Sequence, residues 1–180
     1  VAKQAGAEVI SMRKNMGKAH AMKIGYLTLT NHVLVFLDGD ILEGAEQIEK
    51  LVEPICEGEA EAVFARFPMT KGRGGFGLVK TLAQKGLSIL TGKTISSVLS
   101  GQRAFLRSIL YLELFEYHRY GIEFGMTVDM LRKNINIQEV EVSMKHCTTG
   151  RDVKGFLHRF KQFSDILNVF LKKLVKEGFI

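Results

Sequence analysis

Apolar positions along the chain fall into two rhythms. Val33-Leu34-Val35-Phe36-Leu37 runs unbroken into Asp38-Gly39-Asp40, the pattern of a buried strand that ends at the rim of an α/β sheet. Ala62-Val63-Phe64-Ala65 predicts a second such strand over 61–67. Over 135–142, Ile and Val alternate with polar residues, as in a half-exposed edge strand. Residues 1–6 read as a helix tail ended by Gly6, followed by a short strand over 7–11, and 95–105 as a turn and a short strand.

Between these lie helical spacings. Positions 19, 22, 26 and 29 share one face, and 45, 48, 51, 52 and 55 another, with Pro54 expected to kink or end that helix. Further helices are predicted over 78–90, over 107–115 and over 120–133, the last with 122, 126, 128 and 131 facing a core. From 153 to 174, Phe156, Phe160, Phe163, Leu167, Phe170, Leu171 and Leu174 recur at helical spacing with basic residues opposite. Alternation of strand and helix predicts an α/β fold with 33–40 as its central strand, parallel pairing and right-handed crossovers. Ligands bind such sheets at the rim.

Candidate chemistry gathers there. Asp38 and Asp40, one residue apart with Gly39 allowing a bend, can turn toward one small volume, where a hard divalent cation would relieve their repulsion and bridge to phosphate oxygens. An Asp-Gly turn closing an ordinary strand is the alternative. Gly17 and Lys18 at a helix start can offer backbone N–H groups and an ammonium to an anion, or simply form a solvated loop. Lys71-Gly72-Arg73-Gly74-Gly75-Phe76-Gly77 lacks the spacing of a nucleotide-binding loop and reads as a hinge. Glu123 sits in a first helical turn, where the dipole alone favours an acid; catalysis is the competing explanation.

Composition narrows the class. With 180 residues, 46% of them hydrophobic, the chain can build one ordinary core. Cys56 and Cys147 stand far apart, which argues for a reducing compartment and makes the cytoplasm the default. The net charge of +6 is concentrated late: from Lys145 onward eight Lys/Arg face three acids. The long final helix therefore either packs on the sheet or meets an anionic membrane or a partner. Its Phe residues recur at packing intervals rather than as exposed aromatics interleaved with Lys and Arg, which argues against nucleic acid. No apolar run approaches the length of a membrane span.

Taken together, four segments resemble a family 2 type nucleotide-sugar glycosyltransferase of GT-A fold, near the polyprenyl-phosphate glycosyltransferases and glucosyl-3-phosphoglycerate synthases. They are Asn15-Met16-Gly17-Lys18, Leu37-Asp38-Gly39-Asp40, Ser100-Gly101-Gln102-Arg103-Ala104-Phe105 with Tyr120-Gly121-Ile122-Glu123, and His146 with Thr149-Gly150-Arg151. The resemblance implies a three-layer α/β/α domain with a mostly parallel sheet over residues 1–180, with the long amphipathic helix over 153–180. It implies Mg or Mn held by Asp38, Asp40 and His146 on the diphosphate of a UDP-glucose-like or GDP-mannose-like donor. Asn15, Gly17, Lys18 and Gly39 would lie along that donor. Gly101, Gln102 and Arg103 would floor the sugar and acceptor pocket, and Glu123 would orient the sugar or act as base. Thr149, Gly150 and Arg151 would close over a phosphate-bearing acceptor, with Arg151 forking onto phosphate. A homodimer and a peripheral contact with the inner face of the cell membrane are further expectations. Such enzymes begin with a nucleotide-gripping strand and an Asp-Asp-Gly-Ser type segment, so the chain, which opens on Val1 inside what reads as a helix, is expected to start after it. A sugar-phosphate nucleotidyltransferase shares the metal-diphosphate chemistry, and a non-catalytic basic module for anionic lipid or nucleic acid is the rival outside enzymes. An aspartyl-phosphate phosphatase would want its acids near the start of the fold and a Thr or Val after the second, where Ile41-Leu42 stands.

Overall fold

The computed structural model describes residues 1–68, 77–146 and 153–176. Its elements run α1 (Lys18–Thr28), β1 (Val33–Phe36), β2 (Ile41–Glu43), α2 (Glu49–Cys56), β3 (Ala62–Arg66), α3 (Leu78–Thr91), β4 (Arg103–Leu106), α4 (Ile122–Arg132), β5 (Ile137–Glu141), β6 (Lys145–His146) and α5 (Val153–Lys176). Four strands form one sheet in the order β1-β4-β3-β5, while β2 and β6 pair separately. β1, β3 and β5 run in one direction; β4 runs against them and pairs antiparallel with both β1 and β3. The strand-helix alternation thus sets β1 and β3 parallel in direction, as expected, but with β4 inserted between them.

Two-residue alternation sorts the sheet's side chains to its two faces. Leu34, Phe36, Ala62, Phe64 and Phe105 turn to one face and pack with Ala83 and Leu87 of α3, Ile122 and Met126 of α4, and Ile166 of α5. Val63, Ala65 and Ala104 turn to the other, against Leu51 and Ile55 of α2. Helices therefore cover both faces, the three-layer arrangement expected. α4 is the most enclosed: Phe124, Met130 and Thr127 are buried in addition to the four core positions that the spacing marked. In α5, Ile166, Val169 and Leu174 are buried, whereas Phe156, Leu157 and Phe160 are exposed. Among the described residues no helix is long and apolar enough to cross a membrane.

Three expectations about elements need correction. Residues 7–11 are exposed and form no strand; a strand exists only through ladder bonds, and no described strand lies alongside them. Consequently β1 stands at the edge of the four-stranded sheet and not at its centre. Residues 107–115 form two short 3-10 turns, Arg107–Ile109 and Leu112–Phe115, in place of one helix. The basic segment 71–77 lies outside the described residues except for Gly77, which caps the start of α3 in the left-handed region.

Candidate active site at the sheet rim

Register fixes where the site lies. Phe36 of β1 and Phe64 of β3 both sit opposite Arg103 of β4. Asp38 and Arg66, each two residues further on, therefore come to the same rim, and Arg66 pairs in turn with Glu141 of β5. A cavity of about 600 Å³ opens along this rim, lined by Asp38, Asp40, Arg66, Lys80, Ser97 and Gln102 among others.

The Asp38 carboxylate is held on both oxygens. Lys18 Nζ lies 2.5 Å from its Oδ1, and Gln102 Nε2 donates to Oδ2 at 3.2 Å. The same ammonium lies 2.6 Å from Glu123 Oε1, so Lys18 bridges two acids that come from different ends of the sequence. Burial alone would lower the Lys18 ammonium, but Glu123 and Asp38 outweigh it and hold it above its usual 10.5. Its delivery is local: Gly17 N–H donates to Asn15 Oδ1 at 2.9 Å, and Gly17 adopts φ 88°, a backbone that aims the chain into α1 with Lys18 as its first residue. The Gly17 N–H, expected to face an anion, is thus spent inside the loop. Gly101 packs flat on Asp38, and a Cβ added there would fall onto its carboxylate. Asp40 is exposed, with no partner among the described residues, and Gly39 lies in the exposed turn between the two acids.

Arg103 is not in the pocket floor where the sequence reading set it. It shares a face with Phe105, two residues on, and is 1% exposed beneath the floor. Gly101 and Gln102 do line the cavity. His146 enters through its backbone: β6 places it opposite Ile41, the neighbour of Asp40. Thr149, Gly150 and Arg151 lie outside the described residues.

Glu139 is a residue that the sequence reading missed. Its Oε1 accepts from Ser96 Oγ at 2.7 Å and Ser97 N–H at 2.6 Å, and its Oε2 accepts the Ser96 N–H at 3.1 Å, pinning the loop that lines the cavity. The signal was an acid on the polar side of an edge strand beside a Ser-Ser pair. Burial would raise this carboxyl; the hydrogen bonds from Ser96 and Ser97 prevail and hold it below its usual 4.5. The unfolded chain therefore binds the proton first as pH falls. Stability from this group is complete above pH 4.5 and is lost as pH drops through the lower folded value. Thermal melts should show Glu139→Gln less stable than wild type at neutral pH, with the gap closing below the ordinary carboxylate range.

The sequence matches the model of the glycosyl transferase family 2 over residues 1–112. The chain belongs to glycosyl transferase family 2. No curated protein matches it closely enough to count as a relative. Among solved structures, glucosyl-3-phosphoglycerate synthase from Mycobacterium tuberculosis in complex with Mn2+, UDP-glucose and phosphoglyceric acid is similar at TM-score 0.76 and 20% identity, covering 96% of this chain and 62% of that one. The same enzyme with Mg2+ and UDP gives TM-score 0.75 at 21% identity, again over 96% of this chain and 62% of that one. With Mn2+, UDP-glucose and glycerol 3-phosphate it gives 0.72 at 20% identity and the same coverage. The chain thus spans 62% of the length of these structures, and at this identity the likeness speaks for the fold. The family 2 chain has the expected GT-A arrangement, its acids at the rim where β1 ends.

Proposed function

We propose that this family 2 chain acts, within its full protein, in metal-dependent transfer of a sugar from a UDP-glucose-like or GDP-mannose-like donor to a phosphate-bearing acceptor. The observation that carries the reading is the pair Asp38 and Asp40 at the end of β1, lining a cavity of about 600 Å³. That volume suits a small-molecule ligand. The enzyme similar to this chain was crystallised with Mn2+, UDP-glucose and phosphoglyceric acid, which agrees with the proposed substrate classes.

The residues fit Mg2+ or Mn2+: both acids offer hard oxygen donors, Asp40 has no other partner among the described residues, and the β2–β6 pairing sets His146 one register position away. Among the described residues no three such side chains already converge, so the substrate's phosphate oxygens would complete the shell. When bound, the cation would offset the charge developing on the departing nucleoside diphosphate. Lys18 would do the same from the protein side, at the head of α1. Gly101 and Gln102 would seat the sugar, and Asn15 and Gly17 would keep Lys18 in place. Glu123 would orient the sugar or take the proton of a hydroxyl acceptor; an anionic acceptor needs no base. Arg151, with Thr149 and Gly150, would fork onto the acceptor phosphate. Peripheral contact of α5 with an anionic membrane belongs to the same proposal, supported by the exposed Phe156, Leu157 and Phe160.

The test is a donor screen. UDP- and GDP-sugars are incubated with phosphorylated acceptors, with Mn2+, Mg2+ or chelator, and release of the nucleoside diphosphate is measured. Release that needs both metal and acceptor supports the proposal; release of a nucleoside triphosphate from donor and pyrophosphate would favour the nucleotidyltransferase instead. Gly101→Ala should cost this turnover about ten- to a hundredfold and lower the melting temperature as well, because the new methyl displaces the Asp38 carboxylate that holds Lys18 and Gln102.

A further inference from the structure

The carboxylate that the proposed cation needs is already occupied by another cation. Lys18 Nζ contacts Asp38 Oδ1 and Glu123 Oε1 at 2.5 and 2.6 Å, and Gln102 takes Asp38 Oδ2. Two acids that share one ammonium lie within two hydrogen-bond lengths of each other. Glu123 is the more enclosed of them, its side chain 12% exposed. A metal ion arriving alone must expel the ammonium from Asp38 Oδ1, since two cations cannot share one oxygen without repelling. The displaced ammonium then stays beside the incoming charge or leaves Glu123 ionised and half-dry without its partner, and both outcomes cost free energy. A diphosphate changes this balance. It offers the ammonium new anionic partners and brings oxygen ligands to the metal, so both cations are satisfied at once.

We propose that Lys18 is a resident counter-ion that keeps Asp38 closed to free metal, so that the divalent cation binds only together with a nucleoside diphosphate. The inference rests on the function proposed above and adds to it an order of binding: metal and nucleotide enter as one, and neither acid holds a metal between turnovers. Asp40, exposed and without a partner among the described residues, gives the pair its open side. If Lys18 served only to start α1, its removal would leave metal affinity unchanged.

Electron paramagnetic resonance of free Mn2+ reads binding without any turnover. The full protein that contains this chain is titrated with Mn2+ alone and with UDP or GDP present, as wild type, Lys18→Met and Lys18→Arg. Wild type should bind Mn2+ at least about tenfold more tightly when the nucleotide is present. Lys18→Met, which leaves the acids without their cation, should bind Mn2+ alone about tenfold more tightly than wild type and gain little from nucleotide. Lys18→Arg, which retains the charge, should behave as wild type. Glu123→Gln loosens the ammonium from its other side and should shift nucleotide-free binding in the same direction as Lys18→Met; it carries the test if that variant does not fold. Equal nucleotide-free affinity in wild type and both charge-altering variants, with wild type still gaining from nucleotide, overturns the role of Lys18 and leaves the proposed function standing. Wild type that binds no Mn2+ with either nucleotide overturns both.

Discussion

Asp40→Ala should abolish metal-dependent donor binding and lower turnover by about a thousandfold or more, since charge stabilisation by a bound cation contributes several kcal/mol. The melting temperature should hardly move. Asp40 lies beyond the last residue of β1, is exposed, and has no partner among the described residues, so its removal strands no buried group. Asp38→Ala is the instructive contrast. That change frees the Lys18 ammonium and the Gln102 amide, both of which Asp38 holds, and so should lose stability along with binding. Calorimetric titration of UDP with and without Mn2+, beside a thermal melt of each variant, separates the two. Retention of metal-dependent UDP binding by Asp40→Ala would sink the assignment of the acids.

The parts of this site that rest on local pattern were readable from the residues. A short unbroken apolar run rich in Val and Phe and ending in two acids has the pattern of a strand that finishes where water begins, and Asp38 and Asp40 follow β1 there. The helical spacing in α4 marked the core positions and left Glu123 in its first turn. Sheet order was less accessible, because the turn and short strand expected over 95–105 carry no sign of their neighbours; insertion of β4 between β1 and β3 depends on long-range pairing. Residues 7–11 show the same limit in reverse, with a strand-like composition and no strand among the described residues to pair with. Lys18, expected to partner an anion, meets two of the chain's own carboxylates, a contact between positions 20 and 105 residues apart that no local window contains. Arg103 was misplaced because arginine is almost never fully buried. Yet the clue was present, since it stands two positions before Phe105 and a strand returns to the same face every second residue.

Arg103 is also the position where a single change should most damage the fold. Its guanidinium donates from Nε to Ser100 O and from Nη2 to Val98 O, each at 2.7 Å. Its Nη1 donates to Thr127 Oγ1 at 3.1 Å and Glu123 O at 3.2 Å. The group lies over the Phe64 ring at 4.0 Å, where the face of the ring offsets part of the cost of burying charge. Burial draws its pKa down to about 10, against the pull of Glu123 and Asp38, so the group stays charged at neutral pH. Arg103→Met fills a similar volume with no donor at all. Three carbonyls and a hydroxyl then lose this donor, and although Glu123 O keeps the Thr127 hydroxyl, the Val98 and Ser100 carbonyls are stranded, at a cost of about 3 kcal/mol. For a chain of this size that lowers the melting temperature by roughly 6–12 °C. The damage also has a direction. Val98 and Ser100 belong to the loop that lines the cavity, and Glu123 opens α4, so the residues around Lys18 and Asp38 lose their common brace. Arg103→Lys should recover only part of the stability, because one ammonium cannot reproduce a planar fork that reaches four acceptors. A melt of Arg103→Met that coincides with wild type would mean that something other than this guanidinium holds the loop to α4.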